Sequence, residues 1–225
     1  MFEVSDAWKT ACPEAHVGVL VMRDVVNPAH HDGLEAQKKQ LEEQLRSEFS
    51  GQDRAALLRH PILQAYSAYY RRFDKTYHVQ LQLESIVLKG KAIPSVAALV
   101  ECMFMAEMKN FLLTAGHDLD ALQLPAVLDV AKGTEAYMLL RGQEQLPKAG
   151  DMMISDRAGV ISSIVYGPDQ RTQINPNTRN VMFTVYAPPG ITDAAVRQHL
   201  EDIRENVRLI APESKVEMLE AFGAG

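Results

Sequence analysis

Apolar residues recur every four positions at Leu41, Leu45 and Phe49, under a face of Glu, Lys and Gln. This is the pattern of an amphipathic helix over 34–49, opened by Asp32-Gly33. Its charge run, Lys38 to Glu48, reads as the solvated side. Upstream, the apolar run 17–22 predicts a strand, and Asn27-Pro28 predicts a turn after it. Asp53 is placed to cap a short helix through Leu58. His60-Pro61 begins another helix with a broad apolar stripe: Ile62, Tyr66, Tyr69, Tyr70 and Phe73. A further helix is predicted over 81–89, stopping at Gly90. Pro94 suits the first turn of a helix over 95–110, which is apolar nearly all round and therefore buried.

Beyond residue 115 the texture changes. Short β-rich runs at 126–130, 136–140, 152–155, 160–166 and 181–186 are separated by Gly, Pro and Asp. Asp193 then reads as the cap of a last helix, with Ala194, Val196, Leu200, Ile203 and Val207 facing inward. Helices followed by strands predict an α+β fold, with helices packed on one mainly antiparallel or mixed sheet. Nothing linker-like interrupts the chain, so residues 1–225 are expected to form one domain.

Composition narrows the function classes. The 225 residues are 47% hydrophobic and 23% charged, enough to build a sizeable core. A net charge of −6 excludes a strongly basic nucleic-acid clamp, though not a local basic edge. Cys12 and Cys102 lie far apart and read as free thiols in a reducing compartment. Met1 to Asp6 shows no basic region ahead of an apolar core, and the run 17–22 is too short for a bilayer span. A cytoplasmic protein with no membrane partner is expected. There is no P-loop, Gly-x-Gly-x-x-Gly, Gly-x-Ser-x-Gly or Cys-x-x-Cys motif, and Glu101, Glu107 and the histidines lack His-Glu-x-x-His spacing. No metal, redox or nucleoside-triphosphate cofactor is implied. His30-His31-Asp32 reads as helix capping rather than a ligand set.

Two segments concentrate polar chemistry. In 114–122, Gly116, His117, Asp118 and Asp120 stand at a helix-to-strand junction, either aimed into a cleft or spent on a capped turn. In 166–179, Gly167, Asp169, Arg171, Thr172, Thr178 and Arg179 lie between two strands among several amide side chains. Such a loop suits a phosphate, ribose or carboxylate, or else is a long hairpin connection. Asp156 reads as a turn residue, and Ser162 and Ser163 have no base beside them. The tyrosines at 66, 69, 70 and 77, and the methionines at 103, 105 and 108, read as core.

These residues resemble the editing module, the B3/B4 domain, of the phenylalanyl-tRNA synthetase beta chain. The resemblance runs through His60-Pro61 and its aromatic helix, and through Gly90-Lys91-Ala92-Ile93-Pro94-Ser95 leading to Leu99-Val100-Glu101. It continues through Gly116-His117-Asp118-Leu119-Asp120 and the region from Asp151 to Thr178. It implies a pocket for the aminoacylated 3′ adenosine of tRNA, with no DNA partner, in which water cleaves the ester of a wrong amino acid. By that resemblance His117 and Gly167 would be catalytic. Gly116, Asp118, Asp169, Arg171, Thr172, Thr178 and Arg179 would bind substrate, with Lys89 and Lys91 as further basic contacts. Phe104 stands where the family has an asparagine, with Asn110 an unaligned substitute. Thr184 or Tyr186 stands where it has a glutamate. A pocket for a free amino-acid derivative, or a non-catalytic tRNA-binding or protein-interaction module, remain the alternative expectations.

Overall fold

A computed structural model describes residues 1–223. In chain order the elements are β1 (Phe2–Val4), α1 (Asp6–Ala11), β2 (His16–Arg23), α2 (Asp32–Glu48), α3 (Arg54–Leu57) and α4 (Pro61–Arg71). There follow α5 (His78–Val87), α6 (Ala98–Asn110), β3 (Leu113–Asp118), a 3-10 turn at Leu119–Ala121, β4 (Ala126–Val130), β5 (Tyr137–Met138) and β6 (Glu144–Gln145). The chain closes with β7 (Met152–Asp156), β8 (Gly159–Ser163), β9 (Gly167–Pro168), β10 (Val181–Ala187), α7 (Asp193–Ile210) and β11 (Lys215–Gly223). The α+β class and mainly antiparallel pairing hold. The strands divide between two principal sheets, β11-β2-β10-β3 and β1-β4-β7-β8-β9, with β5-β6 as a separate ribbon. Among the described residues only β1 and β4 pair in parallel.

The first sheet is sandwiched. Helices α6 and α7 cover one face, with α7 pressed onto β2 so closely that a Cβ on Gly18 would lie 2.6 Å from Val196 Cγ1. The other face meets the second sheet, where Tyr186 Oη lies 2.6 Å from Ser162 Oγ. Helix α4 staples both sheets through buried tyrosine hydroxyls. Tyr66 Oη accepts from Leu113 N at 2.9 Å and donates to Tyr186 O. Tyr69 Oη accepts from Met152 N at 2.7 Å and donates to Asp151 Oδ1 at 2.9 Å. An aromatic ring supplies apolar area while its hydroxyl satisfies strand ends that would otherwise be orphaned. The tyrosines are therefore core, with Tyr66 stacked on Tyr77 at 4.1 Å between centroids.

Several local expectations are corrected. Lys38 is not solvated: it is buried, 2.9 Å from Glu101 Oε2 and 2.8 Å from Ser95 Oγ. The buried Glu42 accepts from Ile93 N at 2.7 Å. Both side chains face 91–101, a segment that hydrophobic periodicity does not reveal. Helix α6 starts at Ala98, so Pro94 precedes it rather than occupying its first turn. Helix α5 starts at His78, three residues before the predicted start, and Thr192 rather than Asp193 caps α7. Cys12 and Cys102 are free and buried. Among the described residues no helix is long and apolar enough to cross a membrane.

Candidate functional site

Strand alternation decides what β3 can offer. Thr114 and Gly116 point to the helix-covered face and line a cavity of about 490 Å³, whereas His117 points to the opposite face. Helix α6 contributes Val100, Met103, Phe104 and Glu107, which at i, i+3, i+4 and i+7 share one face. Helix α5 contributes His78 and Gln82, one turn apart. The opposite wall is the turn from β8 to β9, including Tyr166 and Gly167, and beyond it Gln173 and Ile174. Arg141, from the turn between β5 and β6, also lines the cavity and is exposed. Gly167 has φ +87°, a left-handed backbone that suits glycine at this sharp turn. At Gly116 a Cβ would meet Ile174 Cδ1 at 2.7 Å, so the glycine lets the loop close down on the sheet.

Of the titratable groups that line this cavity, one sits far from its ordinary behaviour. Glu107 is buried, and burial pushes its carboxyl up to about 8. Its Oε1 accepts from Thr114 N at 2.7 Å, and among the described residues no cation pairs with it. By contrast Glu101, on the same helix, is neutralised by Lys38. His78 keeps exposed surface, yet desolvation of its ring lowers its pKa from the ordinary imidazole value, which favours the neutral form at pH 7. Its Nδ1 lies 3.4 Å from Tyr70 Oη. A protonated carboxyl can donate a hydrogen bond and a neutral imidazole can accept a proton, a pair of roles suited to acid–base work. Neither residue was a candidate in the sequence. The signal available there was a second acidic residue, after Glu101, inside a helix apolar nearly all round.

The residues singled out from the sequence fall elsewhere, apart from Gly116 and Gly167. His117 has no exposed surface; its Nδ1 lies 2.8 Å from Thr172 Oγ1. The Thr172 hydroxyl donates to Asp169 Oδ1, so the ring proton belongs on Nδ1 and the unpartnered Nε2 is a bare lone pair. Burial holds this imidazole down at about 3, with Arg171 adding to the effect. Asp118 accepts from Thr178 Oγ1 at 2.7 Å and from Asn175 Nδ2 at 2.9 Å. Arg171 reaches Asp156 Oδ1 at 2.9 Å and Oδ2 at 3.0 Å, as well as Ala121 O at 2.9 Å. Arg179 is exposed and bonds to Thr178 O at 3.1 Å. These contacts pin loop 169–180 to the end of β3, and the loop then presents Gln173 and Ile174 to the cavity. Of the remaining positions, Phe104 lines the cavity, whereas Asn110 bonds to His199 and Asp202 on α7. Thr184 Oγ1 donates to Ala115 O at 3.4 Å, and Tyr186 lies against Ser162.

Comparison with known proteins bears on the fold. No curated protein matches the sequence. A solved N-terminal fragment of the phenylalanyl-tRNA synthetase beta-subunit from Pyrococcus horikoshii is structurally similar, with a TM-score of 0.51 and 12% identity. The similarity covers 96% of this chain and 50% of that one, so the chain spans about half the length of that fragment. At this identity the likeness speaks for the fold alone. The B3/4 domain family model matches residues 63–206, which takes in α5, α6, β3 and the whole wall of the cavity. The chain therefore belongs to the B3/4 domain family.

Proposed function

We propose that the chain is a trans-editing deacylase that hydrolyses the ester of a mischarged aminoacyl-tRNA in the cavity between α5, α6 and β3. The observation that carries this reading is Glu107, a carboxyl held protonated at neutral pH in a cavity it shares with a neutral His78. The family membership supports a tRNA-related substrate class.

In the proposed reaction the 3′ adenosine enters past Arg141, with the aminoacyl group against Val100, Met103 and Phe104. His78 takes a proton from water as the water oxygen bonds to the ester carbonyl carbon. Protonated Glu107 donates a hydrogen bond to the developing oxyanion, where a fixed donor in a dry site is worth most. Collapse of the tetrahedral intermediate breaks the bond from carbon to ribose oxygen, and His78 returns its proton to that leaving oxygen. The products are a free amino acid and an intact tRNA end. Gly167 shapes the wall that faces the ester. His117, Asp118, Asp169, Arg171, Thr172 and Thr178 act as positioning residues through the loop they hold, and Arg179 remains an exposed contact for the acceptor end.

The test is amino-acid release from a panel of correctly and incorrectly charged tRNAs. Accelerated release from a narrow mischarged subset is expected. Protein that accelerates no member of the panel would contradict the reading. Thermal stabilisation by an amino-acid derivative alone would then favour a small-molecule pocket.

A further inference from the structure

A second concavity, of about 560 Å³, is lined from α3, α4 and the start of α5. Three cationic side chains line it, Arg54, Arg71 and Lys75, and no acidic side chain does. Between them stand neutral hydrogen-bonding groups: Gln64, Ser67, Thr76 and Gln80. In a chain of net charge −6 this concentration runs against the general composition.

The arginines are held ready. Arg54 donates through Nε to Glu84 Oε1 at 2.8 Å, and Arg71 through Nε to Ser67 O at 3.1 Å. Among the described residues no hydrogen bond engages the terminal guanidinium nitrogens of either. A guanidinium anchored at one nitrogen and free at two is preorganised for a phosphate. Glu84 pairs with Arg54, so Arg71 and Lys75 are the groove's cations with no acidic partner among the described residues; Asp74 is held by Lys148 at 3.1 Å. Lys75 joins the groove to the cavity, its Nζ 5.7 Å from the centroid of the Tyr166 ring, which lines the cavity wall. His78 in the cavity directly follows Tyr77, which lines the groove.

The geometry points to this groove as the track for the sugar–phosphate backbone of an RNA end whose terminus sits in the cavity. Cations spaced among hydroxyl and amide groups match alternating phosphates and ribose hydroxyls, and a concave surface does not suit a membrane. The partner follows from the proposed deacylase reading; the groove itself stands on its own residues. Arg171, Arg179, Lys89 and Lys91, the basic contacts suggested by the sequence, lie outside it.

The experiment is a fluorescence-anisotropy titration of the full chain with a labelled, uncharged RNA hairpin bearing a single-stranded 3′ end. Salt is varied for wild type, for Arg71→Glu/Lys75→Glu, for the milder Arg71→Gln/Lys75→Gln, and for Arg197→Glu/Arg208→Glu on α7. Two phosphates, at Arg71 and Lys75, at about 0.7 each give an expected salt slope near −1.4 for wild type. The groove reversal is expected to weaken binding about tenfold or more and to flatten the slope; the neutral pair gives a smaller change in the same direction. The α7 pair is expected to bind as wild type does. Groove variants that bind RNA like wild type would overturn the proposal. So would wild type that binds no RNA, or that binds a polyglutamate peptide more tightly. The readout is binding, so the two readings fail separately. RNA bound at the groove with no ester cleaved refutes the reaction; ester cleaved with RNA binding untouched by the reversals refutes the groove.

Discussion

Loop 169–180 and the α6 face from Val100 to Glu107 wall the same cavity by opposite routes. The loop carries the densest polar sequence in the chain, yet its side chains are largely spent on partners in β3 and β7: Thr178 and Asn175 on Asp118, Thr172 on His117, Arg171 on Asp156. The helix face is almost wholly apolar, and its single carboxyl is left without a cation. Polar groups that find partners inside the fold build structure, because pairing removes both their desolvation cost and their reactivity. A lone polar group in an apolar wall keeps its cost and its chemistry, which is why perturbed titration marks it.

If this division of labour is right, the cavity groups carry rate and the loop groups carry stability. The largest effect is expected from Glu107→Ala and His78→Ala, each lowering kcat/KM for ester hydrolysis about 10²- to 10³-fold by quenched-flow or filter assay. His117→Ala is expected to do the reverse. It removes a buried ring and the partner of Thr172, costing about 2–4 kcal/mol in urea denaturation. It should lower the rate far less than the cavity changes at temperatures where the protein stays folded.

The pH dependence separates the groups further. Glu107 titrates near 8 when folded and near the ordinary carboxylate value when unfolded, so the folded state binds the extra proton between those values. Its contribution to stability is full at low pH and is lost as pH rises through about 8. Glu107→Gln should therefore flatten the decline between about pH 4.5 and 8, by up to about 1.4 kcal/mol per pH unit, in denaturation midpoints measured across pH. His117 and His199 work in the opposite sense. Both are held down at about 3, so their contribution is present above about 6.5 and is lost as pH falls through 3. The smallest effect is expected for Arg171→Gln. Its guanidinium is partly exposed but the Asp156 side chain is buried and keeps only its bonds from Gln123 N and Ala158 N, so loss of the pair is expected to cost about 2 kcal/mol by the same denaturation measurement.

How much was legible in the sequence follows the same line. Periodicity located most helices and strands, because burial of one face is a local pattern. It missed the burial of Lys38 and Glu42, whose partners lie some fifty residues or more away in 91–101. Alternation along β3 was the physical rule that put His117 away from the cavity, but it needed the sheet's orientation, which neighbouring residues do not fix. Gly116 and Gly167 were named in the sequence through the family resemblance, and the structure gives each a physical reason to be glycine: close approach at Gly116 and left-handed backbone at Gly167. Glu107 was visible as a charge in a buried helix, yet its missing partner is a fact of three dimensions.

The central claim is that ester cleavage depends on a protonated Glu107 in the cavity. The most direct test compares wild type, Glu107→Gln and Glu107→Ala for deacylation of a mischarged tRNA from pH 6 to about 9. The account predicts that Gln, a neutral hydrogen-bond donor of nearly the same shape, retains much of the rate. It also predicts that Gln removes the wild-type fall above about pH 8, while Ala is nearly inactive throughout. Wild-type rates in the Ala variant, or a Gln variant as impaired as Ala, would contradict it.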